Sequence, residues 1–177
     1  DQNYAENPKQ NFHTLSRMIN TMNHRGPDTY GHTIINSCCL AHTRLSIIDL
    51  ENGRQPMSYT KDGNTYYIVY NGEIYNYKEV KKTLLRKNYT FETNSDTEVI
   101  IAAFCHYGPG FVKELNGIFA IAIYDSMRNT LYLYRDRFGV KPLYYTKTGD
   151  TLVFASRIDT LFEYPRVRPC IDMNSFN

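Results

Sequence analysis

The 177 residues suit one ordinary domain, long enough to bury a core without disulfide staples. Twenty Lys and Arg against 18 Asp and Glu leave +2, which excludes a nucleic-acid binder driven by bulk charge; 42% hydrophobic and 21% charged residues exclude disorder by composition. The longest apolar run, residues 118–124, is far short of the roughly 20 residues that cross a bilayer, so no membrane partner is expected.

In chain order, Phe12, Leu15, Met18, Ile19 and Met22 recur at helical spacing, and the turn sequence Arg25-Gly26-Pro27-Asp28 follows. A strand is predicted over 39–45. Asn52-Gly53 and Lys61-Asp62-Gly63-Asn64 read as tight turns, and 65–70, rich in aromatic and β-branched residues, reads as a buried strand. Asn76 with Glu79, and Ser95 with Glu98, have the spacing of helix caps. The first opens a helix carrying Val80, Leu84 and Leu85. The second opens one running to Gly108-Pro109. Strands over 119–124, 130–134, 143–145 and 152–155 follow, separated by short turns that imply antiparallel hairpins. The strand at 118–124 is apolar at nearly every position, so both its faces should be covered, as in stacked layers of helix and sheet.

Cys38, Cys39, Cys105 and Cys170 show neither C-x-x-C spacing nor a His at ligand spacing. They read as small buried apolar residues rather than a zinc site, and no metal is expected. The polar stretch 1–10 holds no apolar signal-peptide core, so a cytoplasmic location is expected.

Three stretches place polar residues where chemistry could use them. In Ala41-His42-Thr43-Arg44-Leu45-Ser46, an Arg interrupts a strand-like run. It is either a surface residue on a strand edge or a guanidinium fork for a carboxylate. Asn71-Gly72 is either a plain turn or a pair of N–H donors converging on a developing oxyanion. Asp96, in Ser95-Asp96-Thr97-Glu98, is either a first-turn acid favoured by the helix dipole or a carboxylate for a substrate ammonium. Together they fit a free amino acid attacked at a side-chain carbonyl.

Seven motifs occur in one order: His24-Arg25-Gly26-Pro27-Asp28, Arg44-Leu45-Ser46-Ile47-Ile48-Asp49, Gln55-Pro56-Met57, Asn71-Gly72-Glu73-Ile74-Tyr75-Asn76, Ser95-Asp96-Thr97-Glu98, Leu115-Asn116-Gly117-Ile118-Phe119-Ala120, and Arg135-Asp136-Arg137-Phe138-Gly139-Val140-Lys141-Pro142 running on into Leu143-Tyr144-Tyr145. This series resembles the class II glutamine amidotransferase domain of glutamine-hydrolysing asparagine synthetases, over nearly the whole chain. The resemblance implies an α+β fold of the N-terminal-nucleophile hydrolase type, a four-layer αββα sandwich of two antiparallel sheets. It implies that Arg44, with backbone groups of Leu45 and Ile47, holds the α-carboxylate of glutamine, and that Asp96, with Glu73 nearby, holds its α-amino group. It implies too that Asn71 and Gly72 form the oxyanion hole. Ser46, Ile48, Arg25 and residues 135–142 are expected as structural or pocket-wall residues.

The family nucleophile is a cysteine at the processed N-terminus, whose own α-amine, with a reference pKa near ~7.7–8.0, is the base. None of the four cysteines occupies a matching position. Residues 1–171 are therefore expected to be the amidotransferase domain without its first strand, with 172–177 opening a linker to a C-terminal synthetase domain. Arg157 stands where the family usually carries an acid. By resemblance, the domain needs no cofactor of its own, ATP and Mg belong to the synthetase domain, glutamine is the substrate, and a homodimer is allowed. Two alternatives stay open: a scaffold or glutamine-binding domain without a nucleophile, and a glutaminase domain serving another acceptor.

Overall fold

The computed structural model describes residues 8–26, 29–44 and 53–170. The elements, in order, are α1 (Pro8–Met22), β1 (Thr29–Ile35), β2 (Cys38–Arg44), β3 (Met57–Lys61), β4 (Asn64–Ile74), α2 (Tyr77–Leu85), α3 (Asp96–Tyr107), β5 (Gly117–Asp125), β6 (Thr130–Arg135), β7 (Tyr144–Thr148), β8 (Thr151–Ala155) and α4 (Ile158–Leu161). Short 3-10 turns cover Asn23–Arg25 and Gly108–Glu114.

Among the described residues all strand pairings are antiparallel. β3-β4-β5-β6 form one sheet, and β1-β2 and β7-β8 form two hairpins. β5 explains the layering. Phe119, Ile121 and Ile123 alternate onto one face, where they meet Ile100, Ala103 and Phe104 of α3 and Val80 and Leu84 of α2. Ala122 and Tyr124 point the other way, onto Leu40 of β2 and Phe154 of β8. Val153 and Ala155 of β8 then turn outward and pack against Leu161 of α4 and Met18 of α1. The order helix, sheet, hairpins, helix is the expected αββα stack. Each fully buried Ile or Leu in it contributes about 1.5–3 kcal/mol.

The β3–β4 turn is as predicted: Asp62 and Gly63 both have positive φ, as a two-residue hairpin loop requires. Several expectations need correction. β4 runs on through Asn71 and Gly72 to Ile74, so Asn71-Gly72 is not a turn but part of a ladder against Ala120 and Phe119. Gly is needed there because a Cβ would lie 2.1 Å from the Ile118 carbonyl oxygen. Asn76 precedes α2 but makes no side-chain cap. Its amide instead clips the neighbouring segment: Oδ1 accepts from Asn116 N–H at 2.8 Å and Nδ2 donates to the Glu114 carbonyl at 2.9 Å. Cys170 is exposed rather than buried, and Cys38, Cys39 and Cys105 are only half-buried.

Candidate functional site

β4 is longer than its partner β3. The ladder with β3 stops at Ile68, so from Tyr70 onward one edge of β4 is open. Side chains from three other segments reach that edge. Tyr70 N–H donates to Gln55 Oε1 at 2.6 Å, and the Tyr70 carbonyl accepts from His42 Nε2 at 3.1 Å. Ile74 N–H donates to Asp96 Oδ2 at 3.4 Å. Backbone N–H groups alternate along a strand, so Gly72 N–H faces the same edge, between those of Tyr70 and Ile74. Asn71 and Glu73 follow Val69 by twos, which places their side chains on the β4 face that Val69 turns toward the hairpins.

The first turn of α3 supplies the carboxylate. Ser95 Oγ caps the helix by accepting from Thr97 N–H at 3.1 Å, but Glu98 does not complete a reciprocal cap. Its buried carboxylate accepts from Glu92 N–H and Thr93 N–H, both at 2.8 Å, and from the Thr93 hydroxyl at 2.6 Å. The loop before α3 is thereby fixed, and Asp96 with it. Asp96 Oδ2 also accepts from the Tyr70 hydroxyl at 2.9 Å. Burial raises the Asp96 carboxyl above its ordinary range, and the hydrogen bonds from Tyr70, Ile74 and Thr97 oppose that rise. The Tyr70 hydroxyl is raised as well, first by burial and then by the Asp96 charge.

One cavity of about 1200 Å³ collects these groups. Tyr70, Asn71, Gly72, Glu73 and Asp96 line it, as do His42 and Thr43 of β2. Its far wall is Leu152, Val153 and Phe154 of β8 and Leu15 and Ile19 of α1. The structure thus brings Asn71, Gly72, Glu73 and Asp96 together. Arg44 ends β2 directly after Thr43, with its backbone paired to Thr29. Leu45, Ser46, Ile47 and Ile48 lie outside the described residues, as do the side chains of Arg44 and Arg25.

The 135–142 loop is built around Asp136. Its buried carboxylate accepts four backbone N–H groups, from Phe119 (3.2 Å), Phe138 (3.1 Å), Val140 (3.0 Å) and Lys141 (3.0 Å). Burial alone would raise this carboxyl, but those donors outweigh it and hold the group below the usual carboxylate range. Pro142 and Leu143 then reach the cavity wall. Arg157 finds partners within the domain: Asp159 at 2.5 and 2.8 Å, and His24 Nε2 at 2.7 Å.

Sequence reasoning gave no role to Gln55, His42 or Tyr70, and read Glu98 as a helix-cap partner where the structure has it clamp the Glu92–Thr93 backbone. Gln55 carried a signal as part of the Gln55-Pro56-Met57 motif, and Glu98 as part of Ser95-Asp96-Thr97-Glu98. Burial pushes the Cys38 and Cys105 thiols up to about 12 and raises Cys39 as well, the opposite of an activated thiolate. Among the described residues no three His, Cys, Asp or Glu side chains gather as metal ligands, and no helix is long and apolar enough to cross a membrane.

The sequence matches the glutamine amidotransferase domain family over residues 3–177. It is 41% identical over 163 residues to asparagine synthetase [glutamine-hydrolyzing] 3 of Bacillus subtilis, covering 92% of this chain and 26% of that protein. It is 47% identical over 154 residues to asparagine synthetase [glutamine-hydrolyzing] 2 of the same organism, covering 87% and 20%. The chain thus spans about a quarter or less of the length of these curated relatives. The fold is similar to that of the glutamine phosphoribosylpyrophosphate amidotransferase of B. subtilis, with a TM-score of 0.60 at 23% identity over 70% of this chain and 28% of that one. The chain belongs to the glutamine amidotransferase domain family, in its class II form with the N-terminal-nucleophile hydrolase fold.

Proposed function

We propose that this chain is the glutaminase domain of a glutamine-hydrolysing asparagine synthetase. The observation that carries the proposal is the open edge of β4, where Asn71, Gly72 and Asp96 line one cavity beside the end of β2. The α-ammonium of glutamine pairs with Asp96, with Glu73 close by. Its α-carboxylate is held by the Arg44 guanidinium and by backbone groups of Leu45 and Ile47. The side-chain amide then lies along β4, with its oxygen toward the Asn71 side-chain amide and Gly72 N–H.

The nucleophile is a cysteine preceding this segment, on a strand laid between β2 and β8. The cavity exceeds the 300–1,000 Å³ usual for a small-molecule site. Its apolar wall from β2, β8 and α1 suits a strand as well as a ligand. The thiolate attacks the amide carbon, and the electron pair of the C=O bond moves onto oxygen, where Asn71 and Gly72 stabilise it. The C=O bond then re-forms as the C–N bond breaks, and the α-ammonium of the cysteine, which took its proton from the thiol, gives that proton to the leaving nitrogen, making ammonia. Water hydrolyses the resulting thioester to glutamate and restores the thiol.

The ammonia passes to a C-terminal domain of the same protein, where ATP and Mg support amide formation on aspartate. The residues here assign no site to either. The test is glutamate release from glutamine. The complete protein releases it and these 177 residues alone do not. A complete protein that binds glutamine without releasing glutamate would instead be the scaffold.

A further inference from the structure

Beside the groups assigned to glutamine runs a bridge that no step above uses. Gln55 Oε1 accepts Tyr70 N–H at 2.6 Å, and Gln55 Nε2 donates to Thr97 Oγ1 at 3.4 Å. Tyr70 carries the second arm, its hydroxyl donating to Asp96 Oδ2 at 2.9 Å. The two arms close a ring through consecutive residues, Asp96 and Thr97, of the first turn of α3. Asn71 and Gly72 follow Tyr70 immediately, so the ring sets the distance between the oxyanion donors and the ammonium-binding carboxylate.

Gln55 is itself held from behind. A Cβ on Gly31 of β1 would lie 2.0 Å from the Gln55 carbonyl oxygen, so β1 is in close contact with this backbone and leaves it no room to retreat. The side chain is also part of the cavity wall. An acceptor is needed at this place, because β3 has ended and Tyr70 N–H would otherwise lack a ladder partner. An N–H left to find its own partner would twist the strand where Gly72 N–H must keep its direction.

We infer that Gln55 is a positioning residue of the glutaminase site, acting through Tyr70 on the oxyanion donors and through Thr97 on the turn that carries Asp96. The inference rests on the function proposed above. A shift of about 1 Å at a reacting centre can cost on the order of 100-fold in rate. Gln55→Met keeps the side-chain volume but removes both hydrogen-bonding ends. Gln55→Glu keeps the acceptor for Tyr70 N–H.

The experiment measures glutamine-dependent kcat and KM in the complete protein, each against turnover with free ammonia, for Gln55→Met, Gln55→Glu, Thr97→Val and Asn71→Ala. Gln55→Met should lower kcat for glutamine on the order of 10- to 100-fold. Its KM should move by less than about threefold and its ammonia-dependent turnover should stay, since misplaced donors weaken the transition state more than the ground state. Gln55→Glu should recover most of the lost kcat. The bridge is overturned if Gln55→Met behaves like the parent, if glutamine and ammonia turnover fall in parallel, or if Gln55→Glu is no better than Gln55→Met. Where Gln55→Met does not fold, Thr97→Val decides: a selective fall in glutamine kcat supports the bridge and an unchanged kcat overturns it. Loss of glutamine turnover in Asn71→Ala without loss in Gln55→Met sinks the bridge alone. No loss in either sinks the site assignment beneath it.

Discussion

The Tyr70 hydroxyl donates to Asp96 Oδ2 across 2.9 Å, so the strand residue just before Asn71 is tied to the first residue of α3. Tyr70 is buried and Asp96 half-buried, and the carboxylate that receives this bond also accepts Ile74 N–H from the open end of the same strand. Asp96 therefore spans the edge on which Gly72 lies. A ligand reaching from that carboxylate to the Gly72 N–H would run parallel to β4, the direction proposed above for glutamine.

In the proposed site, Asn71→Ala removes one of two oxyanion donors. Such a loss costs about 2.7–4 kcal/mol of barrier, so glutamine-dependent turnover of the complete protein should fall at least about 100-fold. Asparagine formation from free ammonia should continue. Steady-state assays with each nitrogen source check this, and equal losses with both would remove Asn71 from the glutaminase site.

Arg44→Lys should act differently. A guanidinium fork meets a carboxylate through two parallel hydrogen bonds, whereas an ammonium is a point charge. Since the α-carboxylate is remote from the reacting amide, its grip is the same in ground and transition states. The KM for glutamine should rise roughly tenfold with kcat nearly constant. An unchanged KM would take the carboxylate away from Arg44.

Asp96→Asn tests the electrostatics of the site in the absence of glutamine. Burial is the largest influence on this carboxyl and raises it above its ordinary 3.8. The native protein then holds the proton more tightly than the unfolded chain, so the associated stability is full below 3.8 and is lost as pH rises through the native value. The asparagine variant never ionises. Without ligand it should melt higher than the parent at neutral pH, and the difference should vanish below about 3.8. Thermal melts across that range decide, and a difference that does not vary with pH would contradict the assignment.

Gly72→Ala would place a methyl group 2.1 Å from the Ile118 carbonyl oxygen, inside the β4–β5 ladder. The strands must part, at a cost of roughly 1–3 kcal/mol. Gly110→Ala, by contrast, meets open space and should stay within about 0.5 kcal/mol of the parent. Urea unfolding of the two variants gives the comparison, and equal stabilities would refute the close approach.

Much of the layered fold was legible because the core strands announce themselves. The run at 118–124 is apolar on both faces and is covered on both. The Asp62-Gly63 turn and the Ser95 cap are local chemistry, and both formed. β1 and β3 escaped notice for physical reasons. β1 contains Gly31, which is there to admit the Gln55 backbone, and polar His32 and Thr33; β3 is a short strand on the edge of its sheet, with Ser58 and Thr60 exposed. The extension of β4 through Asn71-Gly72 was hidden because that dipeptide is a turn signal on its own. Only the pairing with Ala120 and Phe119, some 48 residues away in sequence, overrides it. The same long-range placement explains why Asn71, Gly72 and Asp96 could be suspected singly from local motifs, whereas the roles of Gln55 and Tyr70 emerged only with the open edge of β4.

The most direct measurement is a crystal structure of the complete protein after reaction with a diazoketone analogue of glutamine, which alkylates the nucleophilic thiol. The account predicts the adduct in the cavity between β4 and β8, its ammonium on Asp96 and its carbonyl oxygen about 2.7–3.1 Å from both Asn71 Nδ2 and Gly72 N. An adduct that leaves Asp96 and the Asn71–Gly72 donors on a different surface from the alkylated sulfur would contradict it.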